Sequence, residues 1–92
     1  MSYELVWGEA TFDEIVATRD RGIIDCVDRH LRILAANPVR HGYRTNHPKP
    51  GTMAFDFHCD GHIGRYDLRA YFYYMENERD LRVYRITVAP AD

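Results

Sequence analysis

The sequence predicts an α+β domain of order β-α-α-β-β-β, with both helices on one face of the sheet. Three observations carry this expectation. A chain of 92 residues allows a single domain with one modest core, burying roughly 60% of its unfolded surface. Between Ile23 and Leu34 the apolar residues recur every three or four positions, which is the helical period. From Met53 to Val88 the period becomes two, as in strands with one buried face.

Each element has its own signal. Tyr3 to Trp7 is short, aromatic and β-branched, with Gly8 behind it, and reads as a strand. From about Glu9 to Arg19 the pattern is helical, with Phe12, Ile15, Val16 and the stem of Arg19 on one face. Thr11-Phe12-Asp13-Glu14 has the form of a capping box for a helix that starts there. Arg21-Gly22 breaks the run. Ile23, Val27, His30, Leu31 and Leu34 then form the stripe of a second helix. Asn37-Pro38 ends it, because proline disfavours the helical conformation of the residue before it.

A polar loop carrying Pro and Gly is expected from Pro38 to Gly51, long enough in so small a domain to be functional. Met53, Phe55, Phe57 and Cys59 then alternate with Ala54, Asp56 and His58 in a half-buried strand. Asp60-Gly61 opens a turn that Gly64 closes. The strand from Arg65 to Met75 places Tyr66, Leu68, Ala70, Phe72 and Tyr74 on its core side. Its other side, with Arg65, Asp67, Arg69, Tyr71 and Tyr73, is polar and aromatic. Glu76 to Asp80 is a charged turn. Leu81 to Val88 alternates again, with Tyr84, Ile86 and Val88 expected on the core side and Ala89-Pro90 ending the ladder.

Composition excludes several classes. With 46% hydrophobic and 28% charged residues the chain is neither disordered nor collagen-like. Its net charge of −2 excludes a uniformly basic nucleic-acid coat. Charge is nonetheless uneven. No acid lies between Arg29 and Phe55, a window that holds Arg29, Arg32, Arg40, Arg44 and Lys49 with His30, His41 and His47, while both flanks are acidic. Such asymmetry fits either an anionic partner at one edge or a solvated loop. No run of eighteen apolar residues occurs, and Met1-Ser2-Tyr3-Glu4 has neither the basic segment nor the apolar stretch of a signal peptide. The expectation is a cytoplasmic protein with no membrane partner.

Cys26 and Cys59 cannot make a disulfide framework and are expected as free thiols. Cys26 with His30, and His58 with Cys59 and His62, have a loose likeness to zinc ligands. Alternation, however, turns Cys59 inward and His58 outward, and His30 sits within an apolar stripe, so hydrogen-bonded histidines are expected in place of a metal. No cofactor is expected.

The chain resembles the RelE/ParE superfamily of toxins from type II toxin-antitoxin systems over most of its length. The resemblance rests on Tyr3-Glu4-Leu5-Val6-Trp7, on Leu31-Arg32-Ile33-Leu34-Ala35-Ala36-Asn37-Pro38 closing the second helix, on the strand Asp67-Leu68-Arg69-Ala70-Tyr71-Phe72-Tyr73, and on Leu81-Arg82-Val83-Tyr84-Arg85-Ile86-Thr87-Val88. It implies two helices on a curved antiparallel sheet, an antitoxin partner, and one of two activities. One is ribosome-dependent cleavage of mRNA, as in the RelE branch; the other is inhibition of DNA gyrase, as in the ParE branch.

For an mRNA endoribonuclease the resemblance places Arg69 at the scissile phosphate, where a permanently charged guanidinium stabilises developing charge. His58 is the candidate for proton transfer, and Arg85 joins Arg69 on the polar sheet face. Arg40, Arg44 and Lys49 are expected to hold the RNA backbone from the rim, with Tyr71 and Tyr73 stacking on bases. Relatives usually continue past the last strand with basic, histidine or tyrosine residues. Ala89-Pro90-Ala91-Asp92 stand there instead, which implies weakened catalysis. The alternative is a non-catalytic module: a gyrase inhibitor, or a degenerate toxin that only binds its antitoxin.

Overall fold

The computed structural model describes residues 2–46 and 49–91, so His47 of the acid-free window and Asp92 of the terminal segment lie outside the described residues. The chain is α+β. Strand β1 (Glu4–Trp7) leads into a 3-10 turn (Glu9–Phe12) and the short helix α1 (Asp13–Ala17). A second 3-10 turn (Arg21–Ile23) enters the main helix α2 (Ile24–Ala36), which is followed by one turn of helix, α3 (Pro38–His41). Strands β2 (Tyr43–Thr45), β3 (Thr52–Asp60), β4 (Arg65–Met75) and β5 (Asp80–Pro90) complete a single sheet of order β1-β5-β4-β3-β2. Pairing is antiparallel except that β1 runs parallel to β5, Glu4 facing Asp80 and Trp7 facing Val83.

The core lies between α2 and one face of the sheet. Ile23, Val27, Leu31 and Leu34 are buried against Phe57, Leu68, Ala70, Phe72 and Ile86, with Met53, Phe55 and Val88 partly buried around them. The periods of three to four and of two therefore identified the two facing layers. His30 is half-buried at the margin of the stripe, its ring stacked 4.8 Å from that of Phe57.

Several expectations need correction. The first helix is shorter than the run Glu9 to Arg19, and Val16 is 72% exposed, because α1 turns only Ile15 fully inward. Thr11 does not cap α1. Its hydroxyl accepts from the Gly8 N–H and donates to the Val83 carbonyl, tying the 3-10 turn to β5. The segment from Pro38 to Gly51 is not wholly loop: Asn37 caps α3 by accepting from the Arg40 N–H, and β2 pairs with β3 as Tyr43 with Ala54 and Thr45 with Thr52.

The largest departure is in β5. A register shift opposite Tyr71 and Phe72 leaves Tyr84 as an extra residue, with Arg85 facing Tyr71 and Val83 facing Phe72. This β-bulge changes the phase of the alternation. Leu81 and Val83 are buried before it and Ile86 after it, while Tyr84 turns outward with Arg85. The ladder also runs on to Pro90, which lies opposite Tyr66. Pro90 shares the phase of Val88, whose backbone N–H points away from β4, so its missing N–H removes no bond to β4. The Val88 N–H itself is satisfied by a Glu14 carboxylate oxygen at 3.0 Å, which lets α1 close the edge of β5 beyond the end of β1.

The thiols are not free. Cys26 on α2 and Cys59 on β3 are joined by a disulfide between the helix layer and the sheet. A lone pair of cysteines 33 residues apart carries no local signal of pairing; the inward turn of Cys59 and the buried position of Cys26 bring them together.

Candidate functional site

The face of the sheet turned away from the helices carries most of the polar residues singled out above. Its centre is built by register. Asp56 on β3 faces Arg69 on β4, and His58 faces Asp67 two residues further along. Arg69 is held from two sides: its Nε donates to Asp56 Oδ1 at 2.7 Å and its Nη2 to Asp56 Oδ2 at 3.2 Å. From the neighbouring β2, the Tyr43 hydroxyl donates to Asp56 Oδ2 at 2.9 Å, and the Tyr43 ring lies 5.9 Å from the Arg69 guanidinium carbon. The arginine and a tyrosine on the sheet's terminal strand thus share one carboxylate.

The charges follow from these contacts. Hydrogen bonds from Arg69 and then Tyr43 hold the Asp56 carboxyl below its ordinary range, against its partial desolvation. Asp56, and after it Tyr71, keep Arg69 charged more firmly still. Desolvation first, then the bond to Asp56, push the Tyr43 phenol upward. His58 lies between Asp60 at 2.8 Å from Nε2 and Asp67 at 3.3 Å from Nδ1. Those two bonds raise its pKa, so the imidazolium persists to higher pH than for a free histidine.

The bulge completes the face. Arg85 is drawn onto it opposite Tyr71, diagonal to Arg69, and its Nη2 lies 3.5 Å from Glu14 on α1. Tyr84 stacks on Tyr71 with ring centroids 6.4 Å apart and lies 6.2 Å from Tyr73. Its hydroxyl donates to the buried Thr52 hydroxyl at 3.1 Å. Tyr73 and Tyr84, with Lys49 to Thr52, line a shallow recess of about 490 Å³.

Of the expected site residues, Arg69, His58, Arg85, Tyr71, Tyr73 and Lys49 come together on this face. Tyr71 is buried by its neighbours, so Tyr73 and Tyr84 present the exposed aromatic surface. Arg40 and Arg44 do not join them. Arg44 pairs with Met53, whose side chain packs against the core, so alternation sends Arg44 to the helix side. Arg40 belongs to α3, whose His41 ring packs beside Phe55 on that same side. The sequence reading missed Tyr43 and Tyr84. The aromatic and β-branched run Tyr43-Arg44-Thr45 after Gly42 was the available signal for the first. For the second it was the change of phase between the pairs Leu81/Val83 and Ile86/Val88.

Chemically, the face offers an always-charged fork, a histidine biased toward its imidazolium form and a second arginine, each already facing a carboxylate. An anionic ligand exchanges with those carboxylates; it does not meet bare cations. No protein-family model, curated protein or solved structure matches the chain. Among the described residues no helix is long and apolar enough to cross a membrane.

Proposed function

We propose that the chain is a RelE-like toxin domain of a type II toxin-antitoxin pair, acting on mRNA at the ribosome through the open sheet face. The observation that carries this reading is Arg69, fixed on a central strand by Asp56 and Tyr43, with His58 and Arg85 as its diagonal neighbours on the adjoining strands. In this reading a phosphate of the RNA takes the place of Asp56 on the guanidinium, which then stabilises charge developing on the phosphoryl oxygens. The RNA's own 2′-hydroxyl attacks the phosphorus and gives its proton to solvent, while His58, whose two carboxylates favour its protonated form, donates a proton to the leaving oxygen. Lys49 holds backbone phosphate beside the recess, and Tyr73 with Tyr84 offers stacking surface for a base.

The test is induced expression with mRNA cleavage followed in a translating extract. Arg69→Ala is expected to retain RNA binding and to lower cleavage by ~100-fold or more, the scale for removing one transition-state donor. Lys49→Gln should weaken binding and reduce its salt slope by about one unit. Asp56→Asn frees the guanidinium and should tighten RNA binding. An Arg69→Ala form that cleaves as well as the wild type sinks the site assignment.

One observation favours a second reading. Arg69, Arg85 and His58 all face carboxylates of the chain itself, and Arg with Tyr is the composition of protein interfaces. A non-catalytic module, inhibiting DNA gyrase or docking only its antitoxin on this face, predicts growth arrest or antitoxin binding with intact mRNA. Under that reading Asp56→Asn leaves RNA affinity unchanged.

A further inference from the structure

We propose that Cys26, Cys59 and His30 form a zinc site that exists only when the Cys26–Cys59 disulfide is reduced, so that the cross-link and the metal are alternative ties between α2 and β3. Cys26 and His30 stand four residues apart on α2 and so share one helix face. Cys59 faces them from β3 because it shares the inward phase of Phe57, while His58 and Asp60 turn out. The three ligand atoms lie within 4.8 Å of one another.

The donor set and its spacing suit zinc. Thiolate sulfur and imidazole nitrogen are its preferred protein ligands, at about 2.3 and 2.0–2.1 Å, so a sulfur and a nitrogen on one tetrahedral ion stand about 3.5 Å apart. Cys26 Sγ and His30 Nδ1 are separated by 3.5 Å. The imidazole is held in place by its ring stacking on Phe57 and by Nδ1–H donating to the Cys26 carbonyl oxygen at 2.7 Å, a bond given up as the proton moves to Nε2 and Nδ1 takes the ion. Cys59 is 1% and Cys26 9% exposed, whereas His30 is half-buried at the solvent margin, which gives the ion an entry side and leaves its fourth position to water.

A disulfide excludes the ion because bonded sulfurs cannot both ligate as thiolates. The exchange balances with an external small dithiol. It gives two electrons and two protons, the S–S bond breaks, two thiols form, and the dithiol closes to its own disulfide. Zinc then displaces both thiol protons to solvent and gains two Zn–S bonds. Oxidation by a small-molecule disulfide reverses the sequence and expels the ion. Neither state depends on the open sheet face having the activity proposed above.

The experiment uses the full chain, reduced with a phosphine and titrated anaerobically with Co²⁺ and then Zn²⁺. The expected result is one Co²⁺ per chain with a thiolate-to-cobalt charge-transfer band, displaced by Zn²⁺, and no binding by the oxidised chain. Cys26→Ser and Cys59→Ser should each lose the band, while His30→Ala keeps it with affinity lowered by at least about tenfold. Far-UV circular dichroism separates the outcomes in which reduction unfolds the chain. Recovery of the native spectrum on adding metal supports the site; metal bound with no recovery overturns it. A folded, reduced chain that takes no metal overturns it too, as does equal binding by the Cys26→Ser/Cys59→Ser double variant.

Discussion

Asp20 ties the turn between β3 and β4 to the segment before α2. Its carboxylate accepts from the backbone N–H groups of Gly22, His62, Ile63 and Gly64 and from the Tyr66 hydroxyl. Burial works against its charge, but the N–H groups of Ile63, His62, Gly64 and Gly22 outweigh it and hold the carboxyl well below the usual range. Because the native value is depressed, the stabilisation is complete above the ordinary carboxyl pKa of about 4 and shrinks as pH falls toward the native one. Urea midpoints should therefore differ most between wild type and Asp20→Asn near neutrality, with the gap closing only in strong acid. His58 has the opposite sign. Its raised pKa gives a contribution that is full below about pH 6.5 and is lost as pH rises through the native value, so His58→Gln should cost more stability at pH 6 than at pH 9. Such roles are hard to read from sequence. Asp20 lies more than forty positions from three of the four N–H groups it serves, whereas Arg69 was legible because its strand alternates cleanly.

At the scale of elements, legibility followed regularity. β3 and β4 keep one phase throughout, and Phe57 and Leu68 are buried as their alternation requires. β5 breaks phase at Tyr84, and reading a single phase back from Ile86 put that residue on the wrong face. Deleting Tyr84 should restore a regular ladder that keeps Leu81, Val83, Ile86 and Val88 inward while removing the aromatic stack. Deleting Arg82 should expel Leu81 from the core if the bulge is kept, or Val83 if the ladder closes up, on the scale of about 2–5 kcal/mol for truncating a buried aliphatic side chain. Circular dichroism and urea midpoints of the two deletions separate them. The joint between α3 and β2 is equally exacting. A Cβ on Gly42 would lie 2.4 Å from Cζ of the fully buried Phe72. Gly42→Ala should thus destabilise by about 1–3 kcal/mol, as overpacking does, and loosen the strand that carries Tyr43.

For the molecule as a whole, the Cys26–Cys59 bond and the β1–β5 ladder each close a long stretch of chain. The bond spans 33 residues, a loop for which chain entropy gives about 3–4 kcal/mol of stabilisation. Reduction without metal should lower the unfolding free energy by that amount, as read from urea curves with and without reductant. β1 raises a question of timing. Among the described strands it is the first to be made, yet the neighbour it pairs with is β5, with Glu4 facing Asp80. At roughly 5–20 residues per second, seconds of synthesis separate the two partners. Once β4 is made it still lacks one of its flanking strands until β5 follows, and Arg85 comes only with β5. The nascent polypeptide therefore has no finished sheet until β5 is made, and whatever the open face does begins only after that strand is in place.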